Sequence, residues 1–113
     1  MISMKMYVPQ NIQELLELVV SMQLMAPKFI DKTGYFPYRN LDYVFRQLYE
    51  GLAQNQQTLG DDRYEELMRM SDRIRALFEA DPEDNTGETS EGRKIINQME
   101  DILLQVRRTQ RRG

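Results

Sequence analysis

The chain has 113 residues, 41% hydrophobic and 29% charged, with a formal net charge of −3, a size that suits one domain around one core and is too short for two. It contains neither cysteine nor histidine, which excludes disulfides, thiolate metal sites and a thiol nucleophile, and removes the commonest general base at neutral pH. No window approaches the roughly 18 uninterrupted apolar residues of a membrane span, and residues 1–10 lack the apolar run of a secretory leader, so a soluble, cytoplasmic chain without membrane contact is expected.

From Asn11 onward, Ile12, Leu15, Leu16, Val19, Val20 and Met22 recur at helical spacing. Asn11 followed by Glu14 three positions later is an N-terminal cap, which predicts a first helix over residues 12–25. Leu18, Leu24 and Met25 widen its apolar face beyond one neighbour. Pro27 ends the helix. Residues 28–39 contain Gly34 and Pro37 and have no helical continuity, so they read as an irregular connection rich in rings: Phe29, Tyr35, Phe36 and Tyr38.

Asn40 caps a second predicted helix with the stripe Leu41, Val44, Phe45, Leu48 and Leu52, fading into the glutamine-rich stretch 54–58. Gly51 within it costs roughly 0.5–1 kcal/mol relative to alanine unless close packing requires it. Gly60 and Asp61 mark a turn, and Asp62 with Glu65 resembles a capping box. The third stripe is Tyr64, Leu67, Met68, Ser71, Ile74, Leu77 and Phe78, and Pro82 stops it. Residues 81–89 read as an exposed acidic loop in which Thr89 or Ser90 caps a last helix. That helix carries the cleanest period of the chain: Ile95, Ile96, Met99, Ile102, Leu103 and Val106. The expected fold is all-α, a compact antiparallel bundle of about four helices with an irregular aromatic loop after the first. It forms a single domain over residues 1–113, with 1–10 as an N-terminal extension and 107–113 as a basic tail.

Catalytic constellations are not found. The ferritin-like di-metal pattern requires Glu-x-x-His, and histidine is absent. Glu14 and Glu17 have the Glu-x-x-Glu spacing of helical nucleotide pyrophosphohydrolases, but Asp42 and Glu50 on the next helix are too far apart to complete a metal site. There is no glycine-rich phosphate loop, no Gly-x-Ser-x-Gly elbow and no EF-hand pattern. A non-enzyme with no cofactor and no metal is expected.

Charge is distributed unevenly along the chain. Residues 1–59 hold five acids and five bases, 60–91 eleven and four, and 92–113 two and six. Glu79, Asp81, Glu83, Asp84, Glu88 and Glu91 follow one another with no base between them. Such a run is either a solvated loop or a surface complementary to a basic partner. Tyr35, Phe36 and Tyr38 are either lids on the core or interface anchors. Arg107, Arg108, Arg111 and Arg112 lack interleaved aromatics and match the favourable charge of a helix C-terminus better than a nucleic-acid contact. The eight methionines are scattered over core stripes rather than gathered in one groove.

Gly34-Tyr35-Phe36-Pro37-Tyr38 before one helix, Leu59-Gly60-Asp61-Asp62-Arg63 opening another and Phe78-Glu79-Ala80-Asp81-Pro82-Glu83 before the last resemble the small helical immunity proteins of bacterial type VI secretion. The likeness spans roughly residues 35–103; the longer loop at 84–91 and the arginine-rich end depart from it. The resemblance implies an antitoxin that neutralises a NAD(P)-glycohydrolase-type toxin by occluding its active site. The expected partner is then a cognate protein toxin with a basic nucleotide-binding cleft, bound by a monomer or weak dimer. Glu79, Asp81, Glu83, Asp84 and Glu88 are the first candidate contacts, and Tyr35, Phe36 and Tyr38 the second. The competing expectation is an adaptor or secretion chaperone acting through oligomerisation.

Overall fold

In the computed structural model, which describes residues 6–30 and 40–112, helix α1 (Ile12–Met25) starts where the Asn11 side chain accepts a hydrogen bond from the Glu14 N–H at 2.9 Å. Glu14 completes the start by accepting from the Gln10 N–H and the Tyr7 hydroxyl. Both bonds hold the Glu14 carboxyl below its ordinary value, the tyrosine contributing most. Helix α2 (Leu41–Gln54) repeats the device, with Asn40 accepting from the Tyr43 N–H. It is followed by one helical turn, α3 (Gln56–Leu59), then by α4 (Asp61–Ala80) and α5 (Glu88–Arg112). All regular structure among the described residues is helical.

The five helices of the described residues exceed the expected number by α3. Leu59 is buried, and drawing it into the core curls the glutamine stretch into a turn closed by the Leu59 N–H on the Asn55 carbonyl. The expected capping box at Asp62 is not formed. Gly60 is the N-cap of α4 at φ 84°, with no side-chain cap, and Asp61 and Asp62 lie inside the first turn, where their charge complements the helix dipole. Thr89 and Ser90 likewise do not cap α5, because the helix begins one residue earlier, at Glu88.

Each long helix packs against two others, in the cyclic order α1, α5, α4, α2. Gln23 near the end of α1 reaches Asn97 near the start of α5, while Gln13 near the start of α1 meets Arg107 near the end of α5. These two helices therefore run in opposite directions. Between the four lies one core built from most of the predicted stripes, including Leu15, Val19, Phe45, Ile74, Ile96 and Leu103, all fully buried, whereas Val20 and Leu24 of the α1 stripe are exposed.

Two glycines set how closely the helices approach. A Cβ on Gly51 would lie 2.9 Å from Leu15 Cδ2 and 3.1 Å from the Pro9 ring, so α2 lies close against α1 and the N-terminal segment there. A Cβ on Gly92 would lie 2.5 Å from Phe78 Cε1. The segment read as an N-terminal extension is docked over its described part: Pro9 is buried, Asn55 Nδ2 donates to its carbonyl, and Gln47 donates to the Tyr7 carbonyl. Arg107 and Arg108, read as part of a basic tail, belong to the continuous helix α5.

Candidate protein-binding corner

The connection between α4 and α5 is organised by one carboxylate. Asp81, the C-cap of α4, is only 1% exposed. One of its oxygens accepts from the N–H groups of Asn85 (2.8 Å) and Thr86 (3.1 Å), and the other from the N–H of Thr89 (3.0 Å) in the first turn of α5. The buried Thr89 hydroxyl donates back to the Asp81 carbonyl at 2.8 Å. These bonds, that from Thr89 foremost, hold the Asp81 carboxyl far below the usual range despite its burial. A carboxylate is disfavoured at a helix C-terminus, and Asp81 is tolerated there because it also lies at the N-terminus of α5, where it satisfies the free N–H of Thr89.

This corrects the reading of Asp81 as a surface contact: its charge is used inside the loop. Glu79, Glu83 and Asp84 are exposed and Glu88 is half-buried, so these four remain at the surface. Asp84 at φ 55° and Gly87 at φ 97° supply the left-handed residues that turn the chain back on itself.

The fold also brings cations to the acids. Lys28 Nζ lies 2.8 Å from Glu83, Arg93 3.2 Å from Asp84, Arg75 2.6 Å from Glu79, and Arg73 3.7 Å from Glu91. Arg75 pairs with Asp42 as well, and the Glu79 carboxylate raises its guanidinium above the ordinary value. Arg93 further donates to the Ala26 carbonyl, so the corner is fastened to the end of α1. The acidic run is thus less negative in space than along the chain. Asp61, Asp62, Glu65 and Glu66 at the start of α4 are exposed and, among the described residues, form no ion pair.

Of the aromatics after α1, Phe29 belongs to the core, stacked edge-on against Phe45 at 5.8 Å and tilted against Phe78 at 5.6 Å. Tyr35, Phe36 and Tyr38 lie outside the described residues. Beside the corner is an open groove of about 500 Å³ with an apolar lining of Pro27, Ile30, Leu41, Phe78 and Pro82. Lys28, Asn40, Asp42, Arg75 and Glu79 also line it. Periodicity did not single this groove out, because its lining comes from helix ends and connections.

Glu14, the first residue of the Glu-x-x-Glu pair, is engaged by Tyr7 and Gln10, and no group of acids able to hold a metal ion occurs among the described residues. No described helix is long and apolar enough to cross a membrane. No protein-family model, curated protein or solved structure matches the chain.

Proposed function

We propose that this chain is a non-catalytic binding protein, an immunity protein that seats the corner between α4 and α5 on the basic, nucleotide-binding cleft of a toxin enzyme and occludes it in the cytosol. The observation that supports this reading most is the internal fastening of the corner. Asp81 holds the loop backbone from within, and Lys28 and Arg93 tie it to α1, so Glu83, Asp84 and Glu88 are presented on a pre-ordered edge. Pre-ordering removes part of the entropy cost of association.

The ion pairs at the edge do not neutralise it towards a partner. Exposed pairs are worth at most about 1 kcal/mol, so a toxin's cations exchange readily with Lys28 and Arg93. The four long helices serve in this reading as a rigid antiparallel bundle, one end of which supplies the roughly 800 Å² per partner of a standard interface. The type of partner comes from the sequence resemblance to type VI immunity proteins.

The test is to mix the purified chain with an NAD(P)-glycohydrolase-type toxin domain and to follow the toxin's turnover. The expected result is one-to-one inhibition; full toxin activity with the chain in excess would end the proposal. One observation favours a second reading, an adaptor that self-associates: on α1, Leu24 is 84% exposed and Val20 45%. Light scattering separates the two, since a dimer held through α1 dissociates in a Leu24→Glu variant.

A further inference from the structure

We infer that residues 7–10 form a strap, latched to α1 at the Glu14 carboxylate, that closes the seam between α1 and α2 and opens as one unit while the bundle stays folded. The strap lies at the start of α1, and the corner is fastened to that helix's other end, so the inference goes beyond the proposed function and does not depend on it. The segment has no regular structure and enters the helix through the Asn11 cap. Two sets of contacts hold it. On α1, Glu14 gathers the Tyr7 hydroxyl, 2.7 and 2.6 Å from its two oxygens, and the Gln10 N–H at 2.7 Å. On α2, Gln47 Nε2 donates to the Tyr7 carbonyl at 2.9 Å, and Asn55 Nδ2, at the C-cap, donates to the Pro9 carbonyl at 3.2 Å. Between them the Pro9 ring rests in the hollow left by Gly51, beside Leu15.

The strap is held unevenly, and that makes one group decisive. Among the described residues no backbone-to-backbone hydrogen bond ties it to the helices; each of these bonds uses a side chain of α1 or α2 or of the Asn55 cap. Bonds to an ionised acceptor are about twice as strong as neutral ones, and the ionised acceptor here is Glu14 alone. The bonds from Gln47 and Asn55 are neutral. Pro9 is buried, but Tyr7 is 57% exposed and Gln10 is exposed, so apolar burial supplies only part of what holds the strap down. A segment with few buried contacts opens at lower free energy than the core it covers. Loss of the Glu14 bonds frees the strap from α1, and Pro9 and the two carbonyls then leave α2 with it, uncovering Gly51 and the flank of Leu15.

The experiment is hydrogen exchange followed by NMR on the full chain, read at the side-chain amide of Asn55. That group is buried, bonds to Pro9 and to the Gly51 carbonyl, and makes no bond to Glu14, so it reports the far side of the strap. Three variants are compared with wild type. Tyr7→Phe removes only the hydroxyl and leaves the start of α1 intact, Glu14→Ala removes the whole latch, and Glu17→Ala is the control, an acid on the same helix bonded to Gln13 instead. Tyr7→Phe should speed exchange at the Asn55 side chain at least about tenfold and Glu14→Ala more, with Glu17→Ala at the wild-type rate. In Tyr7→Phe the backbone amides of Val19 and Leu48, within α1 and α2, should exchange as in wild type. If the Gln10 amide responds while Asn55 keeps its wild-type rate, the strap does not lift as a unit and the inference fails. Acceleration of Val19 and Leu48 by the same factor in Tyr7→Phe means that the bundle opens together with the strap, which also overturns it. Protection of Asn55 that rises with protein concentration seats the strap on a second copy and overturns the latch within one chain.

Discussion

Replacing Gly92 with alanine should destabilise the protein, the reverse of what the change does at an ordinary helix position. In a helix interior glycine to alanine gains about 1 kcal/mol from propensity. Here the new Cβ would lie 2.5 Å from Phe78 Cε1 and 3.0 Å from Cδ1, well inside contact distance. The ring has little room to withdraw, being fully buried and packed against Phe29 at 5.6 Å and Phe45 at 6.4 Å. Overpacking costs about 1–3 kcal/mol, and a confined ring belongs in the upper half of that range. The net loss is then about 1–2 kcal/mol, a fall in Tm of about 4–8 °C for a domain of this size. Urea denaturation followed by circular dichroism measures it, with Phe78→Leu as the second arm of a double-mutant cycle. In the leucine background the same Gly92→Ala change should be neutral or stabilising, because the obstructing ring is gone. An increase in stability from Gly92→Ala in the wild-type background would refute the claimed contact between α4 and α5.

Gly51→Ala should cost less than Gly92→Ala, at most about 1 kcal/mol, because its nearest obstacles, Leu15 Cδ2 at 2.9 Å and the Pro9 ring at 3.1 Å, are less close than Phe78 Cε1 at 2.5 Å is to a Cβ on Gly92; parallel urea curves give the ranking. Asp81 has a depressed native pKa, so its contribution is full above the unfolded carboxyl value of about 3.9 and is lost as pH falls below that toward the native value. Asp81→Asn should therefore be less stable at neutral pH and show a shallower loss of stability on acidification, read from Tm against pH. Tyr49 has its phenol pushed up to about 12, first by burial and then by its hydrogen bond to Asp72. Its contribution is full below the unfolded value of about 10 and is lost as pH rises through about 12. Tyr49→Phe should remove one tyrosinate from the high-pH absorbance titration and flatten the alkaline fall in Tm.

Local signals in the sequence carried most of the helical layout. The stripes in α1, α2, α4 and α5 were legible because each long helix buries one face, and Asn11 and Asn40 announced their caps through side chains that act within three residues. What differs depends on backbone turns and cross-element pairs that apolar periodicity does not encode. Asp81 counts as one more acid in an acidic run until the backbone of residues 85–89 folds around it. The single available hint was an aspartate at the unfavourable end of a helix, directly before a proline. The ion pairs of Glu83 and Asp84 join residues from other elements, so a linear count overstated the negative field. Gly60 displaced the expected capping box because its backbone conformation, φ 84°, turned the chain into α4 before Asp62 was reached.

The central claim is that the fastened corner steers and holds a basic partner. Its most direct test is the association rate of the chain with the proposed partner, a toxin domain with a basic nucleotide-binding cleft, by stopped flow at low and high salt, for wild type and a Glu83→Lys, Asp84→Lys, Glu88→Lys triple variant. The account predicts wild-type association that slows as salt rises, and in the variant a rate at least about tenfold lower at low salt with that salt dependence lost or inverted. Equal rates and equal salt slopes for the two proteins, with helicity unchanged, would contradict it.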